Sequence, residues 1–139
     1  MLKPLTTWLA NEAGLAIGVT LFPGERPAKP PSLCTTIREI GPEVVDATNK
    51  DRRVKSIQLI TEGPSYFGAR DEATRIFEII VNRFGLSTVD GWTVFSTSGT
   101  APQDLPTDVT GRYVFVANVV IRAKRSYYNG RRFGECVLE

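Results

Sequence analysis

The chain has 139 residues, 42% hydrophobic and 23% charged, a size that fits one ordinary globular core. Lys+Arg of 17 against Asp+Glu of 15 leave a net charge of +2, too small to draw a polyanion by bulk attraction. Histidine is absent, which removes the commonest general base, the commonest metal ligand and every Ser/His or Cys/His nucleophile pair.

The first residues, "MLKPLTTWLANEAG", place Leu5, Trp8 and Leu9 at helical spacing, and the spacing predicts a short amphipathic helix that stops at Gly14. Pro4, Asn11 and Glu12 break any leader-like apolar run, and no run of eighteen apolar residues occurs, so a soluble, unsecreted protein is expected. "LAIGVTLF" (Leu15 to Phe22) is β-prone and reads as the first strand. "PGERPAKPP" (Pro23 to Pro31) then forces an irregular loop, and "SLCTTIREI" (Ser32 to Ile40) reads as the second strand.

"GPEVVDATNKDRR" is polar and turn-rich, and "VKSIQLI" (Val54 to Ile60) reads as a strand. In "ARDEATRIFEIIVNRFG", Ala69, Ala73, Ile76, Phe77, Ile80 and Phe84 mark one helical face and Arg70, Asp71, Glu72, Arg75, Glu78 and Arg83 the other, with Gly85 as the closing glycine. "GWTVFSTS" (Gly91 to Ser98) is strand-like, and "GTAPQDLPTDVTG" (Gly99 to Gly111) reads as a long loop. "RYVFVANVVIRAKR" is apolar on both faces of a strand until it turns basic, which places it in the middle of a sheet or against a partner. "SYYNGRRFGECVLE" has no periodicity and reads as a tail that orders only if something holds it.

The order predicts an α+β fold: a mixed, mainly antiparallel sheet with an N-terminal helix and one long helix packed on one face. Residues 1–125 form the domain and 126–139 the C-terminal tail.

The nearest approach to a catalytic motif is "TEGPSYFGARDEA", in which Gly63 and Gly68 have the glycine spacing of a phosphate-binding loop. Such a loop needs Lys and then Ser/Thr after the second glycine, to neutralise the phosphates and to hold magnesium. Here Ala69 and Arg70 follow, so the stretch reads as a strand-to-helix corner whose glycines supply backbone freedom. Asp71 and Glu72 are adjacent on a helix, point apart, and read as a solvated helix start. Cys34 and Cys136 form no C-x-x-C pair and support neither a zinc site nor a redox motif.

No catalytic residue, cofactor site or metal site is assigned. The basic and aromatic residues Arg122, Lys124, Arg125, Tyr127, Tyr128, Arg131, Arg132 and Phe133 are the candidate contact residues. They suit a protein interface or single-stranded nucleic acid, and the small net charge favours the protein.

The segments "LFPGERP", "VKSIQLITEGPSYFGARDEATRIFEIIVNRFG", "GWTVFSTSGTAP" and "YVFVANVVIRAKR" together resemble the tail terminator proteins of long-tailed bacteriophages, over about residues 15–125. The alanine at Ala73 and the asparagine at Asn118 match that pattern. The chain departs from it at Thr61 and Glu62, where the family often has a basic residue, and in the tail after Arg125. The resemblance implies a structural virion protein in the tail or neck, assembled in the host bacterial cytoplasm. It implies a hexameric ring that caps the tail tube, stops its growth and joins it to the head connector. Its partners would then be copies of itself, the tube protein and the connector. DNA would pass through without sequence-specific binding, and no membrane would be involved. The loops Thr97 to Gly111 and Pro23 to Pro31 would supply contacts. A tube or neck protein, a nucleic-acid-binding module, and an enzyme using Arg70 for an anionic substrate remain the alternatives.

Overall fold

Helix α1 (Leu2–Ala13) buries Leu5, Leu9 and Ala13 along one stripe and ends where the sequence places its stop. Gly14 takes φ +70°, and Leu15 N–H reaches back to the Ala10 carbonyl at 3.0 Å, satisfying a carbonyl of the last turn. The computed structural model describes residues 2–26, 28, 32–42, 44–45, 51–84, 88–89, 92–105, 111–125, 127–128 and 131–132; the expected glycine stop at Gly85 lies outside them.

After α1 come β1 (Leu21–Pro23), β2 (Cys34–Glu39), β3 (Val44–Val45), β4 (Arg52–Gly63), helix α2 (Tyr66–Ile79), β5 (Thr88–Val89), β6 (Trp92–Leu105) and β7 (Tyr113–Arg125). The fold is α+β. The strands form one seven-stranded sheet in the order β1-β2-β4-β7-β6-β5, with β3 pairing on β4. All its pairings are antiparallel except β1 with β2, so the sheet is mixed.

Because β7 pairs with β4 over the whole of Arg52–Gly63, β2 and β3 share the other edge of β4. On β4 and β7, Ile57 stands opposite Val119 and Leu59 opposite Ala117. These four join Leu5, Leu9, Ile76, Ile80 and Phe84 in one buried cluster, so both helices pack on the same face. The opposite face carries Val54, Ile60, Val114, Val116 and Val120, all half-buried, with no described helix over it. The double apolar character of β7 therefore reflects a central strand whose second side is bare.

Several expectations are corrected. Of the apolar run Leu15 to Phe22 only Leu21 and Phe22 are in a strand, β1, which extends to Pro23. The Ala16 carbonyl instead accepts from Val19, Thr20 and Leu21, and Gly18 takes φ +84°, so the chain doubles back. Within the turn-rich segment, Val44 and Val45 form β3 against Val54 and Arg53. Strand β6 runs through the expected loop to Leu105. Gly99 allows this, since a β-carbon there would collide with the Asn118 carbonyl oxygen of β7, and Pro102 falls in the irregularity between Thr100 and Gln103, where its missing N–H costs little. Within the segment read as the C-terminal tail, β8 (Tyr127–Tyr128) pairs with β9 (Arg131–Arg132).

Helix α2 begins at Tyr66, three residues earlier than its apolar stripe suggests. Ser65 has extended backbone (φ −117°, ψ 134°) and its hydroxyl accepts from Gly68 N–H, a serine N-cap. The corner is thus Pro64-Ser65, with Gly63 still in β4 and Gly68 already in the first turn. Neither glycine has positive φ. A β-carbon at Gly63 would meet Leu33 Cδ1 at 3.0 Å and the Ser32 carbonyl at 3.3 Å, so that glycine serves close packing, not backbone freedom. Helix α2 runs on into a π-helical turn, Ile80–Phe84, which buries Phe84 against Trp8 with ring centroids 4.7 Å apart.

Candidate functional site

Antiparallel register places Arg52 opposite Lys124 and Val54 opposite Arg122 at one end of the bare face. Strand β3 lies alongside, with Val44 paired to Val54. Residues Val44, Arg52, Arg53, Val54, Phe95 and Arg122 line a shallow groove of about 350 Å³. The Arg52 guanidinium lies over the Phe95 ring at 4.8 Å from its centroid, and Arg53 lies over Trp92 at 5.7 Å. Phe95 reaches this face by strand alternation, since Val94 before it lies in the core, and the register of β6 slips between Val94 and Ser96. Arg122 Nη1 donates to Ser98 Oγ at 3.4 Å. Among the described residues no carboxylate pairs with Arg52, Arg122 or Lys124.

The sequence-predicted contact residues thus divide. Arg122 and Lys124 belong to this basic end, and Arg125 closes β7 with its backbone in register with Trp92. Tyr127, Tyr128, Arg131 and Arg132 form the separate β8–β9 ladder, and Phe133 lies outside the described residues. Sequence reasoning missed Arg52, Arg53, Val44 and Phe95. The basic run "KDRRVK" was the available signal, but its meaning depends on β4 lying beside β7.

At the other end of β4, Glu62 is 1% exposed and held by two guanidinium groups. Arg26 Nε donates to its Oε2 at 2.7 Å and Arg112 Nε to its Oε1 at 2.9 Å. Arg112 also reaches the Ser32 carbonyl at 3.4 Å. The clamp joins the β1–β2 connection, the end of β4 and the start of β7, and two partners are what a buried carboxylate requires. Burial pushes the neighbouring Cys34 thiol up from its ordinary 9.0 and the Glu62 charge adds to this, while Arg112 and Arg26 act in the opposite direction.

The start of α2 exposes Phe67 and part of Tyr66, with Arg70 over the Phe67 ring at 5.0 Å and Tyr66 edge-on to Tyr113 and Phe115. The hollow outside the helices, lined by Glu12, Arg70, Asp71, Arg75, Glu78 and Arg83 among others, is larger, about 810 Å³. Its arginines are each paired with a carboxylate: Arg75 with Glu72, Arg83 with Glu12, and Arg70 with Asp71. Arg70 therefore sits beside a carboxylate and on an aromatic ring. Among the described residues no group of His, Cys, Asp or Glu could hold a metal ion, and no helix is long and apolar enough to cross a membrane.

No protein-family model matches the chain, and no curated protein sequence matches it. Among solved structures, a chain from the virion of a native gene transfer agent particle superposes with a TM-score of 0.59, covering 84% of each chain at 12% identity. The fold is shared with a virion chain. At that identity the likeness carries the arrangement of strands and helices, and it extends over most of both chains, not over one hairpin.

Proposed function

We propose that this protein is a structural virion component of a phage-like particle, and that it acts as a tail terminator. In this role it forms a hexameric ring that caps the tail tube, stops its growth and joins it to the head connector. The observation that carries the reading is the fold shared with a gene transfer agent virion chain over 84% of each. It is supported by the segments between residues 15 and 125 that resemble tail terminators.

The surface suits such a part. A ring subunit must touch two neighbours and offer unlike surfaces to tube and connector. One end of this sheet is basic and apolar at Arg52, Arg122, Lys124, Val44 and Phe95, and the other presents Phe67 and Tyr66 beside the Glu62 clamp. The outer part of β6 projects the exposed segment Gly99 to Leu105. Exposed apolar side chains that adjoin one another, Val44 with Phe95 along one groove and Phe67 with Tyr66 at the start of α2, suit contact surfaces.

Particles assembled without the protein test the reading. They should carry tails of irregular excess length that fail to join filled heads, and the purified chain added to blunt tube ends should stop growth. Head-joined tails of normal length in its absence would refute it. Finding the protein repeated along the tube would make it a tube subunit, and normal tails that merely stay unjoined would make it a neck protein.

A further inference from the structure

The bare end of the sheet gathers Arg52, Arg53 and Arg122 along the groove, with Lys124 at its margin opposite Arg52, around apolar side chains that stay in solvent. Val44 is 56% and Phe95 38% exposed. Such an arrangement is costly to leave open, because the guanidinium groups repel one another and the valine and phenylalanine surface remains wet.

We infer that this groove receives an extended segment of a partner protein whose groove-facing side chains, every second residue, alternate between carboxylates and apolar groups. The charge complementarity is specific to side chains. Arg52 lies over the Phe95 ring, and no carboxylate among the described residues pairs with its guanidinium, so it can take a carboxylate of a partner. Lys124 stands beside it in the ladder and Arg122 one pair further along, giving a short row of positive charge. Between them, Val44, Val54 and Phe95 give an apolar floor that the next side chain on the same face of the segment, two residues from a carboxylate, covers. Nucleic acid suits the groove less well. Backbone tracking needs a longer basic stripe and a more polar surface, whereas arginine set among aromatic and aliphatic groups is the composition of protein interfaces.

The inference does not depend on the terminator role, since tube capping can fail while the groove still binds. The probe is a fluorescent, capped peptide, Ser-Glu-Ser-Leu-Ser-Glu-Ser-Phe-Ser, whose even positions share one face when extended, titrated by anisotropy against the full chain. One control peptide has serine in place of leucine and phenylalanine, and a random-sequence duplex DNA is the second control. Binding should be measurable below about 1 mM, weaken about tenfold in Arg52→Ala and in Lys124→Glu, and stay unchanged in Arg70→Ala. The serine control should bind more weakly. Lys124 is exposed, so its replacement keeps the test open should Arg52→Ala fold poorly. Equal binding to the wild type and to Lys124→Glu overturns the inference, as does no binding at 1 mM. Preferential, steeply salt-dependent binding of the duplex also overturns it and assigns the groove to nucleic acid.

Discussion

Arg112 and Glu62 are fifty residues apart in sequence and 2.9 Å apart in the fold, the guanidinium 15% and the carboxylate 1% exposed. The pair ties the entry of β7 to the exit of β4. Arg26 completes it from a more open position, its side chain 43% exposed. Removing Arg112 leaves a buried charge half-answered, so Arg112→Met should cost about 3 kcal/mol of unfolding free energy. Arg26→Ala should cost less than about 1 kcal/mol, because solvent replaces much of that contact. Urea denaturation of the two variants checks the order.

Two glycines should respond in opposite senses to alanine. At Gly99 the new β-carbon meets the Asn118 backbone, with Phe77 Cε1 at 3.1 Å, so Gly99→Ala should destabilise by about 1–3 kcal/mol. At Gly68 it meets only Ser65 Cβ at 3.4 Å and Oγ at 3.5 Å inside a helix, so Gly68→Ala should stabilise by about 0.5–1 kcal/mol. Thermal unfolding of the two variants is the measurement. Calorimetric titration of the wild type with magnesium and ATP should give no heat, in keeping with Gly68 as a helix residue.

The stripe of α2 should weigh unevenly. Ile76 and Ile80 are fully buried, whereas Phe77 is half-buried where it packs toward Gly99. Ile76→Ala should cost about 2–5 kcal/mol, and Phe77→Ala less than a fully buried phenylalanine would. A larger loss at Phe77 than at Ile76 would contradict the packing.

Cys34 gives a pH signature. Its thiol titrates above 9.0 in the fold, so the native state holds that proton more tightly than the unfolded chain. The contribution is complete below pH 9.0 and is lost as pH rises through the folded value. The stability difference between the wild type and Cys34→Ala should therefore be constant below that pH and shrink above it. Native Cys34, 2% exposed, should also resist thiol reagents in a Cys136→Ser background.

Deleting residues 126–139 should leave the unfolding transition of residues 1–125 intact and weaken assembly. Sedimentation of the truncated chain and its ability to block tube growth separate the two effects, and unfolding on truncation would make the tail part of the core.

The sequence by itself determined which segments are apolar with helical or strand period, and so the two helices, the doubly apolar strand β7 and the stripe through Ile76 and Ile80. These depend on residues a few positions apart, and a period is visible wherever one face is buried. It also determined that the chain lacks histidine. The tertiary structure decided how far each strand runs. Strand β6 passes through Gly99 and Pro102 because β7 lies beside it, and no local preference of "GTAPQDL" reveals that neighbour. It decided that Glu62, which in sequence is one more polar residue before a corner, is a buried carboxylate between Arg26 and Arg112. It also drew Arg52 and Phe95 to Arg122 and Lys124. Those groupings arise from the register of strands joined by long connections, and register is set by the packing of the whole sheet, not by the residues that happen to meet in it.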